Sequence, residues 1–223
     1  MSEVSSSRDD RCSDSGSSID DQPIDIKHGR KCVIGFASDI DDSAFSREVK
    51  WRAHEIAKEL EKNGLDVKRV DKKKELEFYA LYQALLEVPV GDDQIPEALT
   101  PSMLANILKF PKTKISKVLP KISKFDHKRE IFVAKPEHFL KSLMKSTGVD
   151  DPKDYEELLK LTRIPNLKEL DDFPQNVACG IVCYYLTKIT KGEMKESEFA
   201  KKICMSSMTV NKIVKRVKKI IDG

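Results

Sequence analysis

Two stretches of this chain align with each other without a gap at a distance of 95 residues. They are LANILKFPKTKISKVLPKI, residues 104–122, and FAKKICMSSMTVNKIVKRV, residues 199–217. Apolar residues match in seven pairs: Leu104 and Phe199, Ala105 and Ala200, Leu108 and Ile203, Ile115 and Val210, Val118 and Ile213, Leu119 and Val214, Ile122 and Val217. Each copy has the pattern of a short helix, a turn of about three or four residues and a second helix. This repeat predicts two related helical domains.

Helical spacing of apolar residues extends through most of the rest of the chain. Residues 48–63 carry one apolar stripe that ends at Gly64, and residues 74–88 are apolar on several faces, as is typical of a helix surrounded by others. Three helix starts are indicated by a proline that follows a capping or boundary residue: Thr100-Pro101, Asp151-Pro152 and Phe173-Pro174. Strand patterns are weak, the best being residues 32–36, so we expect an all-α fold.

Charge divides the chain into unlike segments. Residues 1–28 contain seven acids, three basic residues and eight serines but almost no large apolar side chain, so we expect residues 1–29 to form a disordered acidic tail. Residues 1–28 carry a net charge of −4, which leaves +7 for residues 29–223 within the total of +3. The predicted domains are the first repeat at residues 43–122, a linker at residues 123–129 and the second repeat at residues 130–221.

The composition argues against several classes of protein. The five cysteines are odd in number, widely spaced and without a C-x-x-C pair, which disfavours a disulfide scaffold or zinc finger and favours a reducing intracellular compartment. The longest uncharged run, residues 173–187, is shorter than the roughly 20 apolar residues that span a bilayer. The four histidines are scattered, and no Gly-rich phosphate loop or nucleophile elbow is present. We therefore expect no catalytic residue, no metal site, no cofactor and no membrane partner.

Positive charge is concentrated in the repeat. Residues 98–125 contain six lysines and no acid, and residues 199–221 contain seven basic residues and no acid. A helix-turn-helix places its second helix in the DNA major groove, where flanking Lys and Arg side chains contact phosphates. The recurrence of acid-free stretches at matching positions favours double-stranded DNA as the partner over an ordinary solvated lysine-rich face.

The second repeat resembles the core domain of transcription initiation factor IIB, which is built from two cyclin-like repeats. The resemblance rests on these residues: Pro174, Val177-Ala178, residues 182–184, Ile203-Cys204 and residues 208–211. It extends over about residues 45–221. It implies two tandem cyclin-like domains of five helices each, the first short of its first helix.

The resemblance also implies a function and partners. Factor IIB binds promoter DNA together with TATA-binding protein and helps RNA polymerase to start transcription. The implied chain is a monomeric factor, not an enzyme, in the nucleus of a eukaryotic host or at a viral transcription site. Met208 and Asn211 match positions that touch bases in the family, and Ser206 and Ser207 would cap their helix. The residues expected at the DNA are Met208, Thr209, Asn211, Lys212, Lys215, Arg216 and Lys219 in the second repeat, and Lys112, Lys114 and Lys117 in the first.

Three features depart from the family pattern. Asn211 stands where the family has Arg, and Asn pairs with adenine whereas Arg prefers guanine. Pro120 falls inside the second helix of the first repeat and should kink or end it. Ligands for the family's N-terminal zinc ribbon are absent from the sequence, as expected of a highly diverged or viral member. The shared fold leaves a second interpretation open, a cyclin-type regulatory subunit that binds a protein kinase.

Overall fold

The computed structural model describes residues 44–89, 95–126, 134–168, 170, 172–189 and 194–223, all within one compact unit, Val33–Gly223. These residues are mostly helical and contain no strand, which confirms the expected all-α fold. The predictions of an acidic tail at residues 1–29 and a weak strand signal at residues 32–36 lie outside the described residues, as does the end of the predicted linker.

Ten α-helices lie in the described part of the chain. They are α1 Arg47–Lys62, α2 Val70–Glu87, α3 Pro101–Ile107, α4 Lys112–Ser123, α5 Leu140–Thr147, α6 Pro152–Thr162, α7 Pro165–Lys168, α8 Pro174–Tyr184, α9 Glu196–Lys202 and α10 Ser207–Ile221. A 3-10 turn, Pro136–Phe139, leads into α5, and a π-helical segment, Tyr185–Ile189, continues α8. The three predicted starts are observed, and two have side-chain caps: the Thr100 hydroxyl at α3 and the Asp151 carboxylate at α6.

The first half is organised around α2. Nearly every residue of α2 from Glu75 to Leu86 is buried, because α1, α3 and α4 all pack against it. α2 begins at Val70, about one turn before the predicted start at residue 74. The chain leaves α1 through Gly64, whose φ of 96° lies in the left-handed region that favours glycine. Phe78 of α2 stacks on Phe110 with ring centroids 4.6 Å apart, which ties the turn after α3 to the core.

The second half is organised around α8. Every residue of α8 from Val177 to Tyr184 is buried, because α5, α6 and α10 surround it. Gly180 lets α10 approach α8 closely, since a Cβ atom at this position would lie 2.6 Å from Cγ2 of Ile213 and 2.7 Å from Cγ2 of Val217. Glycine at position 180 thus permits the tight crossing of α8 and α10.

Buried hydrogen bonds join the two halves of the chain. The backbone N–H of Ala98 donates to the carbonyl of His138 at 2.8 Å, and the Ser142 hydroxyl donates to the carbonyl of Ala98 at 2.6 Å. The described residues place four helices before the predicted linker and six after it. The division into two cyclin-like repeats of five helices stays a prediction.

Candidate nucleic-acid interface

The two copies of the sequence repeat have matching backbones. α9 begins and ends 95 residues after α3, and α10 begins 95 residues after α4. The turns match as well, because the left-handed residue is Lys109 in the first copy, with φ 49°, and Cys204 in the second, with φ 60°. Residues other than glycine seldom adopt this conformation. The copies therefore share the geometry of the turn in addition to the helices.

We call α3 and α4 the first helix pair, and α9 and α10 the second helix pair. The first helix of each pair ends with the same hydrogen bond across the left-handed residue. The N–H of Phe110 donates to the carbonyl of Ala105 at 2.8 Å, and the N–H of Met205 donates to the carbonyl of Ala200 at 2.9 Å. These bonds satisfy carbonyls at the end of the helix and direct the chain into the next one. Both pairs thus have a helix-turn-helix arrangement that can present its second helix to a partner.

α10 is capped at its start and buried on one face. The Ser206 hydroxyl accepts a hydrogen bond from the N–H of Thr209 at 3.1 Å, as expected of a cap, and Ser207 is the first helical residue. The buried residues recur at helical spacing: Val210, Ile213, Val214 and Val217. The opposite face is exposed and is called here the α10 stripe: Met208, Asn211, Lys212, Lys215, Lys218 and Lys219.

The α10 stripe brings most of the predicted DNA-contacting residues of the second repeat onto one face. Met208, at the start of the helix, is 84% exposed, which is high for so apolar a side chain. Thr209 is exposed at the edge of the stripe. Lys218 was not among the predicted site residues, although the helical period within the acid-free run could have located it.

Arg216 lies beside the α10 stripe and has an acidic partner. Its Nη1 donates to Oδ2 of Asp172 at 2.8 Å. Oδ1 of Asp172 accepts two further hydrogen bonds, from the backbone N–H of Phe173 and from the amide of Asn176. The residue predicted to hold a phosphate is therefore paired within the protein. Asp172 lies well outside the acid-free run, so sequence position alone carried no signal of this pair.

Asn211 also has an acidic neighbour. With its amide nitrogen turned toward the surrounding acceptors, Asn211 donates to Oε2 of Glu196 at 2.7 Å and to the carbonyl of Ser207 at 3.0 Å. Glu196 is the first residue of α9 and lies three residues before the acid-free run that begins at Phe199. A run without acids in the sequence therefore has a carboxylate against it in the fold.

The second helix of the first pair exposes fewer cations. Lys112 and Lys117 are exposed and Lys114 is half-buried, and Lys112 donates from Nζ to the carbonyl of Cys204 at 2.9 Å. α4 continues through Pro120 and ends at Ser123. The positions equivalent to the α10 stripe are called the α4 stripe: Thr113, Ser116, Lys117, Pro120, Ser123 and Lys124.

Lys121 occupies the position equivalent to Arg216 and likewise contacts an acid. Its Nζ lies 3.2 Å from Oε2 of Glu75, which is also 3.0 Å from Nζ of Lys72. Burial opposes ionisation of Glu75, but the hydrogen bonds from the two lysines outweigh it, so the pKa of Glu75 lies below its ordinary value. The two helix pairs therefore share an ion pair at the flank of their second helix.

Most cysteines and histidines of the described residues lie within the packing of the helices, whereas Cys204 is half-buried in the turn between α9 and α10. Cys179 and Cys183 are buried free thiols in α8, and burial raises the pKa of both, to about 12 for Cys183. Burial lowers the pKa of the His54 and His138 imidazoles, which favours neutral rings. Among the described residues, no group of three or more His, Cys, Asp or Glu side chains could hold a metal ion.

Two further observations concern membrane-spanning helices and similarity to known proteins. Within the described ranges, every helix is too short or too polar to span a bilayer. A scan of the chain against protein-family models and a search of curated proteins both returned no match. Support for a function therefore comes from the residues and their geometry.

Proposed function

We propose that this chain binds double-stranded promoter DNA through its second helix pair and acts in transcription initiation as a factor-IIB-like protein. The α10 stripe is the observation that carries the proposal. It places four lysines, an asparagine and an exposed methionine on the outer face of a capped helix whose inner face is anchored by buried aliphatic residues. An α-helix with these two faces fits the major groove of B-form DNA.

The residues of the α10 stripe have two kinds of chemistry. Lys212, Lys215 and Lys219 offer ammonium groups along the helix, which suits phosphate contacts that fix register and orientation. Met208 and Asn211 lie at the start of the helix, where recognition helices contact base edges. A methionine side chain can pack on the methyl group of thymine, and an asparagine can pair with adenine through two hydrogen bonds. The proposal therefore includes a preference for A·T pairs.

The assignment to transcription initiation rests on the resemblance to the factor IIB family. Met208 and Asn211, which match the base-contacting positions of that family, are both on the exposed face of α10. TATA-binding protein and RNA polymerase are proposed as partners on the resemblance alone. The same holds for action in a nucleus or at a viral transcription site.

A titration of the full chain with a labelled promoter duplex, read by fluorescence anisotropy at about 50 and about 200 mM salt, tests DNA binding. The variant K212A/K215A/K219A should lose about 100-fold in affinity at the lower salt, and its salt slope should fall by about 3. The matched control K58A/K153A/K160A removes the same charge from exposed positions on α1 and α6 and should bind like the unmodified chain. Equal losses in the two variants, or binding that is insensitive to salt, would overturn the proposal.

A gel shift with a TATA-box duplex, with and without TATA-binding protein, tests the initiation role. We expect a ternary complex with the unmodified chain and with the control variant, and none with K212A/K215A/K219A. DNA binding without any ternary complex would keep the DNA-binding proposal and reject the role in initiation.

A further inference from the structure

The two helix pairs are both hydrogen-bonded to α5. The segment that enters α3 is bound at the start of α5, where the Ser142 hydroxyl donates to the carbonyl of Ala98 at 2.6 Å. The end of α9 is bound at the other end of α5, where Nζ of Lys202 donates to the carbonyl of Thr147 at 3.2 Å. Both bonds lie on one helix about 12 Å long, so α5 holds the segment that enters α3 and the end of α9 close to each other.

A second contact limits the distance between the starts of α4 and α10. Lys112, the first residue of α4, donates from Nζ to the carbonyl of Cys204 at 2.9 Å. A lysine side chain reaches about 6 Å from its Cα, and the three residues from Cys204 to Ser207 span at most about 10 Å. The two helix starts thus lie within about 20 Å of each other.

This distance is incompatible with the way paired helix-turn-helix units usually read DNA. Two recognition helices that enter successive major grooves on one face of the duplex are about 34 Å apart, which is one helical turn. Since base contacts are made by the start of each helix, starts within about 20 Å of each other cannot occupy equivalent places in two successive grooves of unbent DNA.

We infer that the two helix pairs together bind one uninterrupted stretch of duplex, in which α10 reads the bases and α4 contacts flanking phosphates. This inference rests on the proposed DNA-binding function and specifies the kind of site that is bound. The division of roles follows from the two stripes. Where α10 has Met208 and Asn211, α4 has the hydroxyls of Thr113 and Ser116, and where α10 has Lys215, α4 has Pro120.

Selection from a random duplex library by the full chain tests this inference. Duplexes of about 30 base pairs, roughly three helical turns, are long enough to contain two half-sites. We expect the selected duplexes to share one block of preferred bases. Two blocks about 10 base pairs apart would overturn the inference, because they would require two reading helices one turn apart.

Variants of the two stripes separate reading from positioning. Asn211→Ala should change the preferred bases within the block. K117A/K124A, which removes the two lysines of the α4 stripe, should lower affinity about 10-fold for every duplex, reduce the salt slope by about 2 and leave the preferred bases unchanged. A change of base preference in T113A/S116A would overturn the inference, since it would show that α4 reads bases too.

Different results would contradict DNA binding and the single uninterrupted site. Binding to no duplex at all, in the library or as a single promoter sequence, would reject the proposed DNA-binding function and with it the inference. Salt-dependent binding with two selected blocks would keep DNA binding and reject the single site. Thermal unfolding of each variant, followed by circular dichroism, confirms that the compared proteins are folded.

Discussion

The first and second helix pairs have the same turn but differ in how their second helices are anchored. α10 packs against α8 more extensively than α4 packs against α2. Val210 and Val214 of α10 are buried, whereas the equivalent residues of α4, Ile115 and Leu119, are only partly buried. Gly180 contributes to this difference, because the missing side chain lets α10 lie directly on α8.

The outward faces of α10 and α4 differ in their positive charge. The α10 stripe has four lysines, whereas the α4 stripe has two, Lys117 and Lys124, and contains Pro120. A helix that is held firmly on its inner face can present its outer side chains in a fixed geometry, as direct reading of base edges requires. The better anchored helix also has the more cationic face, which is why we assign reading to α10 and support to α4.

Exchanging the proline between α4 and α10 should produce the largest change in the free energy of unfolding. Lys215→Pro removes an N–H from the middle of α10 and places the ring against the carbonyl of Asn211, so it should cost about 3 kcal/mol or more in the free energy of unfolding. Pro120→Lys restores the missing N–H at the equivalent position of α4 and should stabilise the protein by about 1–3 kcal/mol. Urea unfolding of the full chain measures both changes.

Lys215→Ala is the matched control for the first of these variants. It removes the same charged side chain and should change stability by less than about 0.5 kcal/mol, because Lys215 is exposed. If Lys215→Pro and Lys215→Ala were equally stable, α10 would not be the rigid helix that its proposed role in reading bases requires.

Gly180→Ala tests the close crossing of α8 and α10. An ordinary Gly→Ala change inside a helix stabilises it by about 1 kcal/mol. Here the added Cβ would meet Cγ2 of Ile213 and Cγ2 of Val217, so the variant should instead lose about 1–3 kcal/mol. Ile213→Ala removes one of the two colliding atoms. In urea unfolding, the double variant should therefore be more stable than the sum of the single changes predicts, and a stabilised Gly180→Ala variant would contradict the close crossing.

The helices and caps were predictable because they depend on local sequence. Thr100 and Ser206 cap α3 and α10 through residues three positions away, and the matched turns follow from the aligned repeat. The start of α2 at Val70 was missed because residues 70–73 include three charged residues, and helix boundaries respond to packing as well as to pattern.

The electrostatic surroundings of the candidate site were not predictable from the acid-free runs. Asp172 reaches Arg216 from the residues that precede α8, and Glu75 reaches Lys121 from α2. Glu196 lies three residues before the second run, but only the crossing of α9 and α10 brings it against Asn211. Ion pairs between distant segments depend on tertiary packing, which a linear count of charges does not contain.

Glu196→Gln tests whether the acid beside Asn211 restrains DNA binding. A carboxylate at the reading end of α10 repels phosphates and occupies the amide that would pair with a base. We therefore expect Glu196→Gln to raise DNA affinity by a few-fold, about 1 kcal/mol, in the anisotropy titration. Glu198→Gln is the matched control. It removes the same charge as Glu196→Gln, but Glu198 faces Lys202 rather than Asn211. Equal gains in the two variants would assign the effect to net charge.

The ion pairs at the flanks of α4 and α10 should contribute least to the stability of the fold. The pair between Glu75 and Lys121 allows this contribution to be tested by pH. Because the pKa of Glu75 in the folded protein lies below its ordinary value of 4.5, its ionised form stabilises the fold above that pH, and this contribution is lost as the pH falls through the folded pKa. Lys121 is about half exposed, so the contribution should be about 0.2–1 kcal/mol. Between about pH 5 and pH 3, urea unfolding of Glu75→Gln should therefore lose less stability than the unmodified chain. The control Glu59→Gln, at an exposed position of α1, should lose stability with falling pH as the unmodified chain does. A parallel loss of stability in all three proteins would show that Lys72 and Lys121 do not stabilise the Glu75 carboxylate.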